Sequence, residues 1–359
     1  MAIYLLNLFS LLIWQAVYQK MPKTQKSKLF IMTLIFVQFV LIEGLRDFSV
    51  GADTAKYMLY YDRFSHETIM SMIENPQYVF EFGYMMLMYI CRKLLIPTRG
   101  FLIIVTSLLN YLYFRFIYKE SDNFILSLWI FICFEYFTLS FTMLRQMIAM
   151  GFVLNAFIYL KKDDYIKFLI TMVLAVSFHK ASIIFLVVPA VKFIYRMINE
   201  DGKLGKFLIM NRYLISVLAL LMLMFLKPII VSFALKLYPE YTSGTDSLGL
   251  LFIEIFGILI LTMMCEHLTE KKTKLRYYQL FLLISVCIQY CTTIFFMINR
   301  VTLYFYVFSI VGIPYCIDLI KDVRVRRIVL VGTLFISFLQ YYLVTMDMYN
   351  VVPYVLGKF

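Results

Sequence analysis

The feature that most constrains this chain is its succession of long apolar runs with only short polar stretches between them. The runs fall at about residues 2–19, 29–44, 80–96, 101–118, 124–141, 143–160, 166–178, 181–195, 213–235, 248–265, 277–298, 301–319 and 328–346. A helix needs about 20 apolar residues to cross a bilayer core. Several runs meet that length, and the shorter ones call for tilt or half-spans. The composition agrees: 62% of residues are hydrophobic and 16% charged, against about 25% charged in ordinary soluble domains. A membrane barrel would need short segments of alternating polarity, which the sequence lacks. The sequence therefore predicts an all-α, polytopic integral membrane protein with about 12–14 transmembrane or re-entrant helices. No Gly/Ser linker, low-complexity tract or fixed-period repeat divides it, so residues 1–359 read as one integral membrane domain. Residues 1–19 lack a basic leader and a small-residue cleavage site, so a retained span is expected there rather than a signal peptide.

The net charge of +12 is explained by loops rather than by nucleic acid, because no basic face is interleaved with exposed aromatics. Lysine and arginine gather in five short stretches: Lys20, Lys23, Lys26 and Lys28; Lys161, Lys162 and Lys167; Arg196, Lys203, Lys206 and Arg212; Lys271, Lys272, Lys274 and Arg276; and Lys321, Arg324, Arg326 and Arg327. Such clusters belong on the cytoplasmic side. The opposite loops are mixed or acidic. One holds Arg46, Lys56 and Arg63 against Asp47, Asp53, Asp62, Glu67 and Glu74; the other, at 236–247, holds Lys236 against Glu240 and Asp246. The scheme contains one conflict. Two cytoplasmic loops at 20–28 and 161–167 require an even number of crossings between them, yet five apolar runs lie there. The stretch between Gln77 and Tyr118, interrupted by Arg92, Lys93 and Arg99, is where a run is expected to fall short of crossing.

The six cysteines, Cys91, Cys133, Cys265, Cys287, Cys291 and Cys316, lie in or beside apolar runs and read as packing residues. Cys287 and Cys291 share a helix face, but that spacing alone is no metal site. No nucleotide-phosphate loop, zinc motif or DxD metal motif is present, so neither a metal nor a cofactor is expected.

Charges beside or within spans are costly and so are candidate functional groups. The outer loop at 45–80 begins GLRDFSVGADTAKY, carrying Arg46, Asp53 and Tyr57. Asp53 either caps the helix that follows or deprotonates a hydroxyl. Arg145 and Gln146, in MLRQMIAMG, stand in the first turn of an expected helix over 143–160. A helix start favours an anion, and arginine adds a fork suited to phosphate; snorkelling to the interface or pairing with a carboxylate is the alternative. His179, in AVSFHKAS, ends one apolar run and begins the next, as a base or a helix cap. Asn299 and Arg300 join two apolar runs with no loop between them, as a second cationic point or an interfacial anchor. His66 and His267 read as surface residues. The 28 tyrosines and 35 phenylalanines fit interfacial belts.

Taken together, these motifs resemble the EpsG-like family of exopolysaccharide and capsule polymerases. Arg46, Gly51-Ala52-Asp53 and Tyr57 are similar to its first-loop signature. Arg145 and Gln146, with Ala149 after them, are similar to its Arg-Gln-x-x-Ala helix, and Phe178, His179 and Ser182 to its Phe-His-x-x-Ser element. The resemblance covers the first half by motif and the second by hydrophobic layout and Arg300. It implies a Wzy-type polymerase with a GT-C-like architecture, in the bacterial cytoplasmic membrane with its active site outside. Such a protein joins undecaprenyl-pyrophosphate-linked oligosaccharide repeat units and works beside flippase and chain-length regulator proteins. It further implies Arg46, Arg145 and Arg300 at the pyrophosphate, His179 or Asp53 as base, and Gln146, Tyr57 and Asn299 positioning substrate oxygens. Two other readings stay open on the residues: a flippase for lipid-linked oligosaccharide, and a GT-C-type transferase using a polyprenyl-phosphate monosaccharide.

Overall fold

The computed structural model describes residues 1–63, 80–190, 249–268, 272–293, 298–344 and 349–357, with isolated positions between them. His66, most of 213–235, the basic stretch at 196–212 and the loop at 236–247 lie outside the described residues. Among the described residues the regular structure is helical, with one isolated bridge between Arg46 and Leu356.

The helices follow the apolar runs. They are α1 (Ala2–Lys20), α2 (Gln25–Gly44), α3 (Thr54–Arg63), α4 (Phe82–Lys93), α5 (Thr98–Glu120), α6 (Phe124–Cys133), α7 (Tyr136–Leu139), α8 (Leu144–Lys161), α9 (Tyr165–Phe178), α10 (Gly249–Cys265), α11 (Lys272–Tyr290), α12 (Asn299–Tyr306), α13 (Ser309–Leu319) and α14 (Val323–Val344). Polar residues set the starts. Thr24 caps α2 by accepting the Ser27 N–H at 3.1 Å, and Asp164 caps α9 by accepting the Lys167 N–H at 3.1 Å. α1, α2 and α5 are long and apolar enough to cross a membrane. Many of their outward residues are apolar, as are those of α9, where Ile166, Leu169, Ile170 and Val173 form one exposed stripe at helical spacing. Lipid, not water, suits such a surface. The protein is a polytopic membrane protein.

The chain divides into two compact units: Met1–Ser182 with Ile313–Phe359, and Ile183–Gly312. In the first unit the contacts fix the direction of each helix. Lys28 on α2 donates to the carbonyls of Tyr118 (3.0 Å) and Ser121 (2.7 Å) at the far end of α5, while Gly44 abuts Ile103 near its start. These two helices are therefore antiparallel. α5 and α8 run parallel: Tyr113 donates to the Met147 carbonyl at 3.1 Å, and Glu120 pairs with Lys161 at 2.5 Å. α1 runs from Tyr4, which donates to the Val351 carbonyl at 2.6 Å, to Tyr18, packed on Phe124 with ring centroids 5.0 Å apart. α14 is tied at mid-length to α6 by the Trp129–Ser337 hydrogen bond at 3.0 Å. One end of the unit thus carries Lys20–Lys28, Lys161–Lys167 and the start of α14. The other carries the 45–63 stretch, the start of α4, residues 141–145 and the end of α9.

This geometry resolves the crossing conflict. Arg99, at the head of α5, donates to the Arg46 carbonyl, so the chain enters and leaves the 45–97 stretch at the same end. α4, 12 residues long and about 18 Å at 1.5 Å per residue, does not cross. Among the described residues the traverses between the two basic loops are α2, α5, α6 with α7, and α8, an even number.

Two runs expected to be single helices are broken. The 124–141 run splits between α6 and α7, where Glu135 adopts φ 66, in the left-handed region that a helix cannot continue through. The 301–319 run splits between α12 and α13, with Pro314 removing a backbone donor from α13. The 181–195 run opens as a 3₁₀ turn over Lys180–Leu186. None of the six cysteines is in a disulfide.

Within the second unit, Phe185, Phe281, Phe305 and Phe308 form an aromatic core, the Phe281 and Phe308 rings 4.3 Å apart. Glu254, midway along an apolar helix face, accepts a 2.5 Å hydrogen bond from the Tyr306 hydroxyl.

Candidate functional site

The site end of the first unit begins where α2 stops. Arg46 turns back beneath its own loop and is fully buried. Its Nε donates to the Val50 carbonyl at 3.2 Å, and its Nη2 donates to the Phe141 carbonyl at 3.1 Å and the Thr54 hydroxyl at 3.3 Å. Its Nη1 donates to the Glu43 carbonyl. The guanidinium also lies 4.6 Å from the centre of the Phe141 ring. Burial draws its pKa down to about 10, with the Glu43 carboxyl group opposing, so it stays cationic at neutral pH. Arg46 is the clasp that closes residues 43–54 and pins them to the corner at Phe141. Gly51 makes the clasp possible: its φ is +95°, and a Cβ there would strike the Phe141 carbonyl.

A second fastening comes from far along the chain. Residues 349–357 lie along the same loop, with Ala52 N–H donating to the Tyr349 carbonyl (2.8 Å), Gly51 N–H to Asn350 (2.9 Å), Asp47 N–H to Val355 (2.8 Å) and Gly357 N–H to Leu45 (2.8 Å). Nothing in the sequence pattern pointed to this pairing, because the tail carries neither a charge motif nor a periodic run.

The clasped loop launches α3. Tyr61 stacks flat on Phe101 at 4.1 Å and donates to the Ile96 carbonyl at 2.7 Å, while Arg92 holds Asp62 at 2.7 Å. This fixes the helix so that Tyr57 is buried against Phe80 and Tyr84, both 5.5 Å away. Burial pushes the Tyr57 phenol up, with Arg145 opposing, so it is a neutral hydroxyl at physiological pH. Asp53 is half-buried just ahead of α3, and its carboxylate makes no hydrogen bond or ion pair among the described residues; only its backbone carbonyl caps, accepting from Tyr57 N–H at 3.1 Å.

Arg145 reaches this cluster from the first turn of α8. Its Nε donates to the Tyr57 hydroxyl at 3.4 Å, its Nη1 pairs with Glu81 Oε2, and its guanidinium lies 4.8 Å from the centre of the Phe80 ring. Unlike Arg46 it keeps partial exposure, 22% of its side chain. Glu81 then passes the connection on: its Oε1 accepts the Lys180 N–H at 3.3 Å. That bond requires the start of α4 to sit close to the end of α9, which Gly83 permits, since a Cβ there would collide with Ser177. His179 is the residue at which α9 ends. Its N–H closes the helix on the Ala175 carbonyl at 3.0 Å, its carbonyl accepts the Ser182 N–H at 3.1 Å, and its ring is half-buried.

Of the residues singled out from sequence, Tyr57 and Arg145 therefore touch, and Glu81 links Arg145 to the backbone beside His179. Asp53 lies one helical turn before Tyr57. Gln146 is buried, with its amide nitrogen 3.9 Å from the Met150 sulfur. Asn299 and Arg300 open α12 and belong to the second unit. Sequence reasoning passed over Glu81, Phe80 and Tyr84. The available signal was an acid standing at the very head of an apolar run, in VFEFGYMM.

A family model described as the EpsG family matches residues 4–356. No curated protein and no solved structure matches the chain.

Proposed function

The chain belongs to the EpsG family, and from that premise we propose that it polymerises undecaprenyl-pyrophosphate-linked oligosaccharide repeat units at the outer face of the cytoplasmic membrane. The observation that carries this reading is the meeting, at one end of the first unit, of the clasped loop at 43–57, the first turn of α8 and the end of α9. The lysine-rich loops lie at the opposite end, and basic loops stay on the cytoplasmic side. That supports a site on the outside, where the lipid-linked glycan waits after translocation.

The chemistry is a glycosyl transfer. A hydroxyl of the acceptor repeat unit attacks the anomeric carbon of the donor glycan. The bond from that carbon to the pyrophosphate oxygen breaks, and undecaprenyl pyrophosphate leaves with the electron pair. Arg145 answers the charge that develops on the leaving group, from a helix start whose own N–H groups favour an anion. Its fixed partners hold the guanidinium ready before substrate arrives. Tyr57, which accepts from Arg145, keeps its own hydroxyl hydrogen for a phosphate or sugar oxygen. The proton of the attacking hydroxyl goes to Asp53 or His179. Gln146, at the same helix start, is assigned to substrate positioning. Arg46 takes a different part: with its donors engaged by backbone carbonyls and the Thr54 hydroxyl, it supports the loop that presents Asp53 and Tyr57.

The test is glycan chain growth in cells or proteoliposomes supplied with lipid-linked repeat units. The Arg145→Ala protein reaches the membrane and makes no long chains. Long-chain product from that variant, or the addition of single sugars from a polyprenyl-phosphate donor, overturns the reading.

A further inference from the structure

We propose that Glu81 sets the substrate specificity of this site, admitting a lipid diphosphate and turning away a lipid phosphate with one phosphorus. The inference deepens the polymerase reading and rests on it for the location of the headgroup.

Glu81 is a carboxylate already seated where an anion belongs. One oxygen is on the Arg145 guanidinium and the other accepts the Lys180 N–H. A guanidinium fork and a free-standing backbone N–H are the two kinds of donor a phosphate uses. The side chain is 12% exposed, and the Phe80 and Tyr57 rings flank the Arg145 end of the pair. An incoming headgroup must therefore take both donors from a protein anion that is already well placed.

Charge decides which headgroup succeeds. A sugar linked through a single phosphate is a diester with one negative charge. It would exchange one monoanion for another on Arg145, gain little Coulomb energy, and still have to move Glu81. A sugar linked through a diphosphate carries two negative charges on two phosphorus centres. One phosphate can occupy Arg145 while the other takes the Lys180 N–H that Glu81 gives up. Tyr57 adds a donor beside Arg145, since its hydroxyl accepts from Nε and its hydrogen has no acceptor among the described residues. The Phe80 and Tyr57 rings keep water back at the Arg145 end, so charge placed there counts for more than it would in solution. Glu81 is thus a threshold: the resident carboxylate makes the site neutral enough to refuse a monoanion.

The experiment uses the full chain in nanodiscs, with sugar-linked farnesyl phosphate and sugar-linked farnesyl diphosphate as probes and binding read by calorimetry. The native protein binds the diphosphate at least about tenfold more tightly. Glu81→Gln strengthens monophosphate binding by about tenfold and closes the gap, whereas Glu81→Asp keeps the preference. Equal binding of the two probes by the native protein overturns the proposal, and so does an unchanged ratio, or weakening of both, in Glu81→Gln. If Glu81→Gln does not fold, the native ratio and Glu81→Asp still decide. The outcome is separable from the polymerase reading. Chain growth without diphosphate preference sinks this inference alone; diphosphate preference that relaxes in Glu81→Gln, with no chain growth from any donor, sinks the polymerase reading alone.

Discussion

Two arginines in this protein show how far a side chain's job depends on what faces it. From sequence, Arg46 and Arg145 looked alike: each stands at the edge of an apolar run beside polar residues. In the fold Arg46 is fully buried among backbone carbonyls, and Arg145 sits partly open between a phenol and a carboxylate. The difference was not legible because most of the acceptors of Arg46 are main-chain atoms, which every sequence has. Their variants are expected to separate. Arg46→Ala takes a donor from the Glu43, Val50 and Phe141 carbonyls and leaves the last two sharing one Thr54 hydroxyl, at about 1–3 kcal/mol for each group left unpaired, so it lowers the melting temperature in detergent markedly. Arg46→Lys does not restore it, because one ammonium cannot fork to three elements. Arg145→Ala melts near the native temperature and loses chain growth by roughly 100-fold or more, the scale for removing one transition-state donor. Tyr57→Phe keeps the ring packing on Phe80 and Tyr84 and drops only the hydroxyl. It is expected to slow chain growth by about tenfold, the scale of one hydrogen bond to a charged group, with unchanged stability. Calorimetric melting beside a product-length gel checks all four.

At the scale of elements, the apolar runs gave helix positions well and helix continuity badly. Hydrophobicity is blind to a left-handed residue such as Glu135, so the 124–141 run read as one helix although the backbone breaks there. It is equally blind to depth. The 80–96 run had the hydropathy of a short span, yet α4 stays at one end because the chain on either side of it is fastened together. Counting basic loops located the fault within the correct stretch, since the parity of crossings is a property of the whole path rather than of any one run. Glu81 escaped notice for a related reason: a lone acid heading an apolar run carries no motif, and its meaning comes from the junction of α4 with α9. That junction is fragile at one position. Gly83→Val sets a side chain against Ser177, parts the two helices and withdraws Glu81 from Lys180. The expected result is insertion at normal levels with chain growth lost; normal chain growth from Gly83→Val would show that the contact is not needed.

For the whole molecule, the division of charge between the two ends of the first unit predicts its orientation in the membrane. Ala52→Cys, exposed beside the clasp, is expected to react with a membrane-impermeant maleimide added to intact cells. Lys162→Cys, at the lysine-rich end, reacts only after the membrane is opened. The reverse pattern would turn the site to face the cytoplasm and remove it from the lipid-linked glycans it is proposed to join. The native cysteines are buried or half-buried, which keeps the background of this labelling low.

The fastening of loop 45–52 by residues 349–357 has a consequence for biogenesis. The fastener is translated some three hundred residues after the loop it holds. Until the ribosome has delivered it and α14 has been threaded through the bilayer, the Asp47, Gly51 and Ala52 amides have no main-chain partners from that segment. A nascent or prematurely terminated chain can therefore insert most of its helices with this loop held by the Arg46 clasp alone.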